Sequence, residues 1–164
     1  MGTSQKTLTN TPRGSASSRN RAMKAAILIE SLTGNTWKAG ERIAANLQQE
    51  NWSITGISPV KNPDHKSIQD ADMVIVGTWV HGLFVVGQSP WGIDGLRALP
   101  AMAGKKAAAF CTFALNPGGS LDVMTRELEY RGAEVVGGLA LHRSKLAAHA
   151  EEFAIRLTDS TASK

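Results

Sequence analysis

Short runs of apolar residues alternate along the chain with longer stretches in which apolar residues recur at helical spacing. Three of these runs, at 25–30, 72–78 and 105–111, are apolar except at their ends. Such runs are typical of strands covered on both faces in a parallel sheet. A weaker run at 53–58 alternates apolar and polar residues, which favours an edge strand, and another run lies at 134–141. The pattern therefore predicts five strands.

The stretches between these runs predict helices that cover the sheet. Apolar residues recur at helical spacing over 36–49, 120–131 and 145–157. Residues 62–70 hold at most one helical turn, and 90–100 a short helix begun by Pro90 and stopped by Pro100. This order of strands and helices is typical of a three-layer α/β domain with a parallel sheet.

Length and composition predict a single domain. With 164 residues, 42% of them hydrophobic, the chain can form one sizeable core but is short for two. We expect the domain at 23–158, a disordered basic tail or extension at 1–22 and a C-terminal tail at 159–164. No apolar run is long enough for a membrane span, the N-terminus lacks a secretory signal, and Cys111 is the single cysteine. These features predict a cytoplasmic protein.

The net charge of +4 comes entirely from the first 22 residues. That segment has four basic residues and no acidic one, so the remainder carries 18 − 4 = 14 bases against 14 acids. Its low apolar content predicts disorder. A nucleic-acid-binding arm and a transit-peptide-like segment are the alternatives, weakened by the lack of aromatic residues and of an apolar helical face. We therefore expect no nucleic-acid partner.

The segment SLTGNT at 31–36 joins the first predicted strand to the first predicted helix. Unpaired N–H groups and the positive end of the dipole at a helix N-terminus bind phosphate without a lysine. Three hydroxyl groups and a glycine suit an anion site, and the alternative is that they only cap the helix. The Gly-Lys-Ser/Thr of a Walker A loop and the three glycines of a dinucleotide fingerprint are missing from this segment.

SLTGNT also resembles the phosphate loop of the flavodoxin family, whose pattern is Thr/Ser-x-Thr-Gly-x-Thr. The resemblance extends from Lys24 to about Leu157. It implies a flavodoxin-like three-layer sandwich with a five-stranded parallel sheet of order 2-1-3-4-5, and FMN bound through its phosphate. The phosphate-binding residues that it implies are Ser31, Thr33, Gly34, Asn35 and Thr36.

The sequence TWVHG follows the third predicted strand. In flavodoxins the loop at this place carries an aromatic side chain that stacks on the isoalloxazine ring, so the resemblance implies stacking by Trp79, with core packing as the alternative. The peptide joining Val80 to His81 is the one that reorients toward the reduced flavin in the family, and the β-branched valine makes that change costlier. His81 is a candidate for proton handling. The flavin-binding residues implied here are Thr78, Trp79, Val80, His81 and Gly82.

The sequence TFALNPGGS, at 112–120, forms the predicted loop after the fourth strand. The resemblance places its main-chain N–H groups against the pyrimidine edge of the flavin, and an ordinary surface turn is the alternative. The family often supplies a second stacking tyrosine here, whereas this loop has a phenylalanine. The residues implied are Thr112, Phe113, Asn116, Gly118 and Gly119.

An FMN-binding domain of this kind has two main functional interpretations. The first is an electron carrier between redox partner proteins, and the second is an FMN-dependent NAD(P)H:quinone-type oxidoreductase with a small quinone-like acceptor. No second nucleotide motif is visible and the body is short, which favours the carrier. The segment 82–95 has Asp94 as its only acid, so an acidic docking face is poorly supported. An interaction domain without FMN is a third interpretation.

Overall fold

A computed structural model describes residues 21–81, 89–90 and 92–162 of the chain. Its strands are β1 (Lys24–Ile29), β2 (Ser53–Pro59), β3 (Met73–His81), β4 (Ser89–Pro90), β5 (Lys106–Phe113) and β6 (Glu134–His142). Its helices are α1 (Asn35–Gln49), α2 (His65–Asp70), α3 (Ile93–Arg97), α4 (Ser120–Tyr130) and α5 (Leu146–Ala162), with a 3-10 turn at Arg143–Lys145 before α5. Within these ranges no helix is long and apolar enough to cross a membrane.

The five long strands form a parallel sheet in the order β2-β1-β3-β5-β6, and the short β4 pairs antiparallel with β3. Numbered without β4, this is the predicted order 2-1-3-4-5, which is confirmed. The alternation of side chains along β1 shows the three layers. Ala25, Ile27 and Ile29 pack into the core under α1 and α5, whereas Ala26 and Leu28 pack into the core on the opposite face of the sheet.

Both edge strands of the parallel sheet carry an irregularity that interrupts regular pairing. Strand β2 has one extra residue, Thr55, in its pairing with β1. Its neighbours Ile54 and Gly56 lie opposite Ala25 and Ala26 of β1. Its hydroxyl donates to the carbonyl oxygen atoms of Ala25 (3.2 Å) and Ser67 (2.9 Å). Strand β6 has a similar shift against β5. The alternating run at 53–58 is therefore an edge strand, as predicted.

Three predicted boundaries are wrong. Strand β3 continues past residue 78 because Val80 pairs with Pro90 and His81 with Ser89. For the same reason Pro90 lies in a strand, and α3 begins after Gly92. Helix α2 exceeds the single turn predicted, since the Asp64 carboxylate accepts hydrogen bonds from two N–H groups of its first turn.

The C-terminal helix is also longer than predicted. Residues 159–162 belong to α5 rather than to a tail. The hydroxyl groups of Ser160 and Thr161 donate to the Leu157 carbonyl oxygen, and that of Thr158 to the Ala154 carbonyl oxygen. The polar side chains beyond residue 157, where the predicted apolar stripe ends, are therefore hydrogen-bonded within the helix. At the other end, the Arg21 guanidinium donates a hydrogen bond to the Asp72 carboxylate at 2.6 Å.

Candidate functional site

The three predicted binding loops start from neighbouring strands at one edge of the sheet. Strands β1, β3 and β5 are adjacent and parallel, so their carboxyl ends lie together. The backbone N–H of Glu30, just past β1, donates to the carbonyl oxygen of Gly77 in β3 at 2.9 Å. Trp79 of β3 is opposite Thr112 of β5 in the strand register. The fold therefore brings the loops into one place, as the sequence predicts.

The phosphate-loop residues hold each other in a tight turn. Gly34 has φ 85°, the left-handed conformation that favours glycine, and directly precedes α1. Its N–H donates to the Ser31 hydroxyl at 3.0 Å, while the Asn35 amide donates to the Thr33 hydroxyl at 3.3 Å. The hydroxyl groups of Ser31 and Thr33 thus accept hydrogen bonds within the loop, and each keeps its hydrogen atom to donate.

No side chain of the described residues caps the start of α1, and its first turn has no acidic residue. The start of α2 differs, because there Asp64 accepts two backbone hydrogen bonds. No side chain of SLTGNT accepts a hydrogen bond from the first-turn N–H groups of α1 in the described structure, and a phosphate site at this loop stays a prediction. The amino end of α1 keeps its N–H groups and the positive end of its dipole for an external acceptor.

A buried hydrogen bond joins the phosphate loop to the loop after β5. The hydroxyl oxygen atoms of Thr36 and Thr112 lie 2.8 Å apart, and the two residues are 1% and 0% exposed. Thr36 is in the first turn of α1, and Thr112 is the penultimate residue of β5. Two predicted site residues that are far apart in sequence are therefore in direct contact.

The predicted flavin-stacking segment lies at the end of β3 rather than in a loop. Thr78, Trp79 and Val80 are all buried, and Trp79 is 9% exposed. By strand alternation Trp79 is on the same face of the sheet as Thr112, toward α1, whereas Val80 packs into the opposite core. The backbone of His81 belongs to the pairing with β4, and Gly82 lies outside the described residues.

The loop after β5 forms a local turn. The Asn116 side-chain oxygen accepts a hydrogen bond from the Gly118 N–H at 2.9 Å, and Gly118 has φ 55°. Gly119 then precedes α4. This geometry gives Asn116 a role in shaping the turn, and its contact with a flavin stays a prediction. Phe113, at the start of the loop, packs edge-on against the His142 ring with centroids 5.1 Å apart.

Sequence reasoning missed an ion pair beside the phosphate loop. Glu30 directly precedes SLTGNT, its side chain is only 12% exposed, and it lies 3.1 Å from the ammonium group of Lys61. The pair neutralises a carboxylate close to a loop suited to anions. A hypothetical Cβ on Gly92 would be 2.9 Å from Glu30 Cγ, so a backbone turn packs against the same side chain. In the sequence, the only indication of this ion pair is the acidic residue Glu30 at the end of an apolar run.

The single cysteine is a core residue. Cys111 is fully buried in β5, among side chains of the core opposite α1. Burial raises the pKa of its thiol to about 12. At neutral pH the thiol is therefore protonated and poorly nucleophilic.

Comparison with known proteins is consistent with this architecture. The model of the flavodoxin domain family matches residues 26–127. Oxidised flavodoxin 1 from Bacillus cereus superposes with a TM-score of 0.65 at 21% identity, covering 83% of this chain and 97% of that one. Two-electron reduced flavodoxin from Megasphaera elsdenii gives a TM-score of 0.66 at 18% identity, covering 82% and 98%. No curated protein sequence matches. Because this match spans more than half of the chain, the protein belongs to the flavodoxin domain family.

Proposed function

We propose that this protein binds FMN and carries electrons between redox partner proteins. The observation that carries the proposal is the amino end of α1, which has no side-chain cap among the described residues and no acid in its first turn. A phosphate group is the ligand that this end suits, because it accepts several N–H hydrogen bonds and is favoured by the helix dipole. Ser31, Thr33, Gly34, Asn35 and Thr36 form the phosphate site in this proposal.

The donor set around this end also fits a phosphate monoester. Hydroxyl and N–H groups supply hydrogen bonds, and the nearby carboxylate of Glu30 is neutralised by Lys61 at 3.1 Å. Gly34 has no atom within 4 Å of the position a Cβ would take, so space is open beside the backbone. These features support a dianionic group at the loop.

The ring of FMN is assigned to the same edge of the sheet. The residues proposed to contact it are Thr78, Trp79, Val80, His81 and Gly82 from one segment and Thr112, Phe113, Asn116, Gly118 and Gly119 from the other. Thr112 contributes its main chain only, because its hydroxyl is hydrogen-bonded to that of Thr36. Trp79 supplies the stacking surface, and the turn closed by Asn116 presents main-chain N–H groups to the polar edge of the ring. When bound, FMN supplies reversible electron transfer.

The exposed surface at this edge suits an electron-exchange partner. Leu32 and Leu115 belong to the two predicted FMN loops and are 68% and 66% exposed. Apolar side chains that flank a redox site offer contact area to a protein partner or to a quinone-like acceptor. We favour the carrier because the sequence shows no second nucleotide motif.

Reconstitution tests the cofactor assignment. The purified protein is refolded with excess FMN, desalted and examined by visible absorbance. We expect a yellow protein with about one FMN per chain, because the site is built from a single chain. A colourless protein under these conditions contradicts the proposal and supports the interaction domain without FMN.

Steady-state kinetics then separates the carrier from the enzyme. The FMN-loaded protein is mixed with NADH or NADPH and a soluble quinone, and nucleotide oxidation is followed at its absorbance band. For a carrier we expect no turnover above that of free FMN. Rapid, saturable oxidation of NAD(P)H would establish the oxidoreductase instead.

A further inference from the structure

The buried hydrogen bond between Thr36 and Thr112 joins the two sides of the proposed FMN site. Their hydroxyl oxygen atoms are 2.8 Å apart, which is the usual length of an O–H···O bond. Neither residue is more than 1% exposed. Thr36 belongs to the phosphate-loop motif, whereas Thr112 lies at the end of β5, where the loop proposed for the ring begins.

The direction of this hydrogen bond follows from the number of hydrogen atoms available. Each hydroxyl has one hydrogen, and only one of the two can lie between the oxygen atoms. A phosphate dianion has no hydrogen to give, so Thr36 interacts favourably with it only as a donor. The hydrogen between the two oxygen atoms must then come from Thr112. The bound phosphate thus fixes the order Thr112 to Thr36 to phosphate.

We infer that Thr112 is a positioning residue for phosphate recognition, an inference that rests on the proposed function. Its O–H donates to Thr36 Oγ1, which holds the Thr36 rotamer and directs the Thr36 O–H toward the phosphate. Hydrogen bonds in a chain polarise one another, so the donation to Thr36 also makes Thr36 a stronger donor to the anion. Thr112 itself does not touch the phosphate in this arrangement.

This role makes a prediction about ligand choice that a purely structural role does not make. Riboflavin has the same ring system as FMN but no phosphate. A residue that acts through the Thr36–phosphate bond affects FMN alone, whereas a residue that only supports the loops affects both flavins alike. The ratio of the two dissociation constants therefore separates the roles.

The experiment measures the dissociation constants of FMN and riboflavin by quenching of flavin fluorescence for three variants. Thr112→Val keeps the side-chain shape and removes the hydroxyl, and Thr112→Ser restores the hydroxyl. Thr158→Val is the matched control, because its hydroxyl donates to the Ala154 carbonyl oxygen within α5. Urea unfolding of each variant shows that it is folded before titration.

For Thr112→Val we expect the FMN dissociation constant to rise about tenfold. This is the effect expected when a hydrogen bond to a charged group is weakened but not abolished. The riboflavin constant should change less than about twofold, and Thr112→Ser and Thr158→Val should resemble the wild type. If Thr112→Val does not fold, Thr112→Ala carries the same expectation.

Two results overturn the inference and are distinct from failure of the proposed function. An unchanged ratio of FMN to riboflavin affinity in Thr112→Val, with FMN still bound by the wild type, refutes the positioning role alone. Loss of FMN affinity in Thr112→Ser equal to that in Thr112→Val refutes it as well, since the hydroxyl is then not responsible. A wild-type protein that binds neither flavin refutes the proposed function itself.

Discussion

Gly77 lies in β3, directly before Thr78 and Trp79. It is the position in this strand where one added methyl group should disturb the fold most. It lies opposite Phe110 in the pairing of β3 with β5, and the phenyl ring covers it. A Cβ at Gly77 would be 2.0 Å from Phe110 Cζ and 2.4 and 2.5 Å from its two Cε atoms. Carbon atoms in contact are normally about 3.5–4.0 Å apart, so the ring must move.

The ring has little room for such a movement. Phe110 is fully buried, and its centroid is 6.0 Å from that of Phe153. Overpacking a close-packed core costs about 1–3 kcal/mol, and a rigid ring on a central strand places this site at the upper end. The usual gain from Gly→Ala through the unfolded state is about 0.4–1 kcal/mol. We therefore expect Gly77→Ala to lower the free energy of unfolding by about 2 kcal/mol.

Urea unfolding of four variants tests this reasoning. Gly137→Ala is the control, because it makes the same change in β6 at a site with no atom within 4 Å of the added carbon. Phe110→Leu removes the Cζ and Cε atoms that overlap. The double variant Gly77→Ala with Phe110→Leu should therefore lose less unfolding free energy than the sum of the losses in the two single variants. Equal stability of Gly77→Ala and Gly137→Ala, or strict additivity in the double variant, would refute the overlap.

Further predictions concern two loop glycines and the buried cysteine. Gly34→Ala forces a side chain into φ 85° without a clash, so unfolding free energy should fall by about 1–2 kcal/mol, and an unchanged value contradicts the strain. Gly92→Ala adds overlap with Glu30 to a φ of 80°, so urea unfolding should show a larger loss than for Gly34→Ala; a smaller loss disproves the contact. Because burial raises the pKa of Cys111 from 9.0 to about 12, the unfolded state releases this proton first. Between those pH values the unfolding free energy of the wild type should fall relative to Cys111→Ala by up to about 1.4 kcal/mol per pH unit, and parallel pH profiles would exclude this.

The elements that sequence predicted well are those determined by their own residues. The run at 105–111 is apolar because both faces of its strand are covered, and β5 lies within one or two residues of that prediction. Helix α1 follows its apolar stripe over nearly the same range as predicted. The sheet order came from the family resemblance, which the topology confirms.

The errors occurred at the ends of elements, which a distant pairing or polar side chains can extend. The end of β3 depends on pairing of Val80 with Pro90, a contact that no local pattern contains. Helix α5 continues through Ser160 and Thr161, although these residue types also favour turns, and their hydroxyl groups donate to carbonyl groups of the preceding turn. Local composition does not separate these outcomes.

The candidate site shows the same limit. Strand alternation places Thr112 and Trp79 on one face of the sheet, but it does not give the distance from Thr112 to Thr36. Nor does it indicate which loop hydroxyl groups accept hydrogen bonds from the loop itself. The Ser31 hydroxyl is one of these, since it accepts from the Gly34 N–H at 3.0 Å. Motif matching identified the loop, and the geometry of the fold showed that no side chain there caps α1.

A crystal structure of the protein with FMN tests the central claim most directly. The account predicts phosphate density at the amino end of α1, within hydrogen-bond distance of the backbone N–H groups of that turn and of the Thr36 hydroxyl, with the ring against Trp79. Phosphate density at another place on the protein, or a well-ordered structure without flavin at saturating FMN, would contradict it.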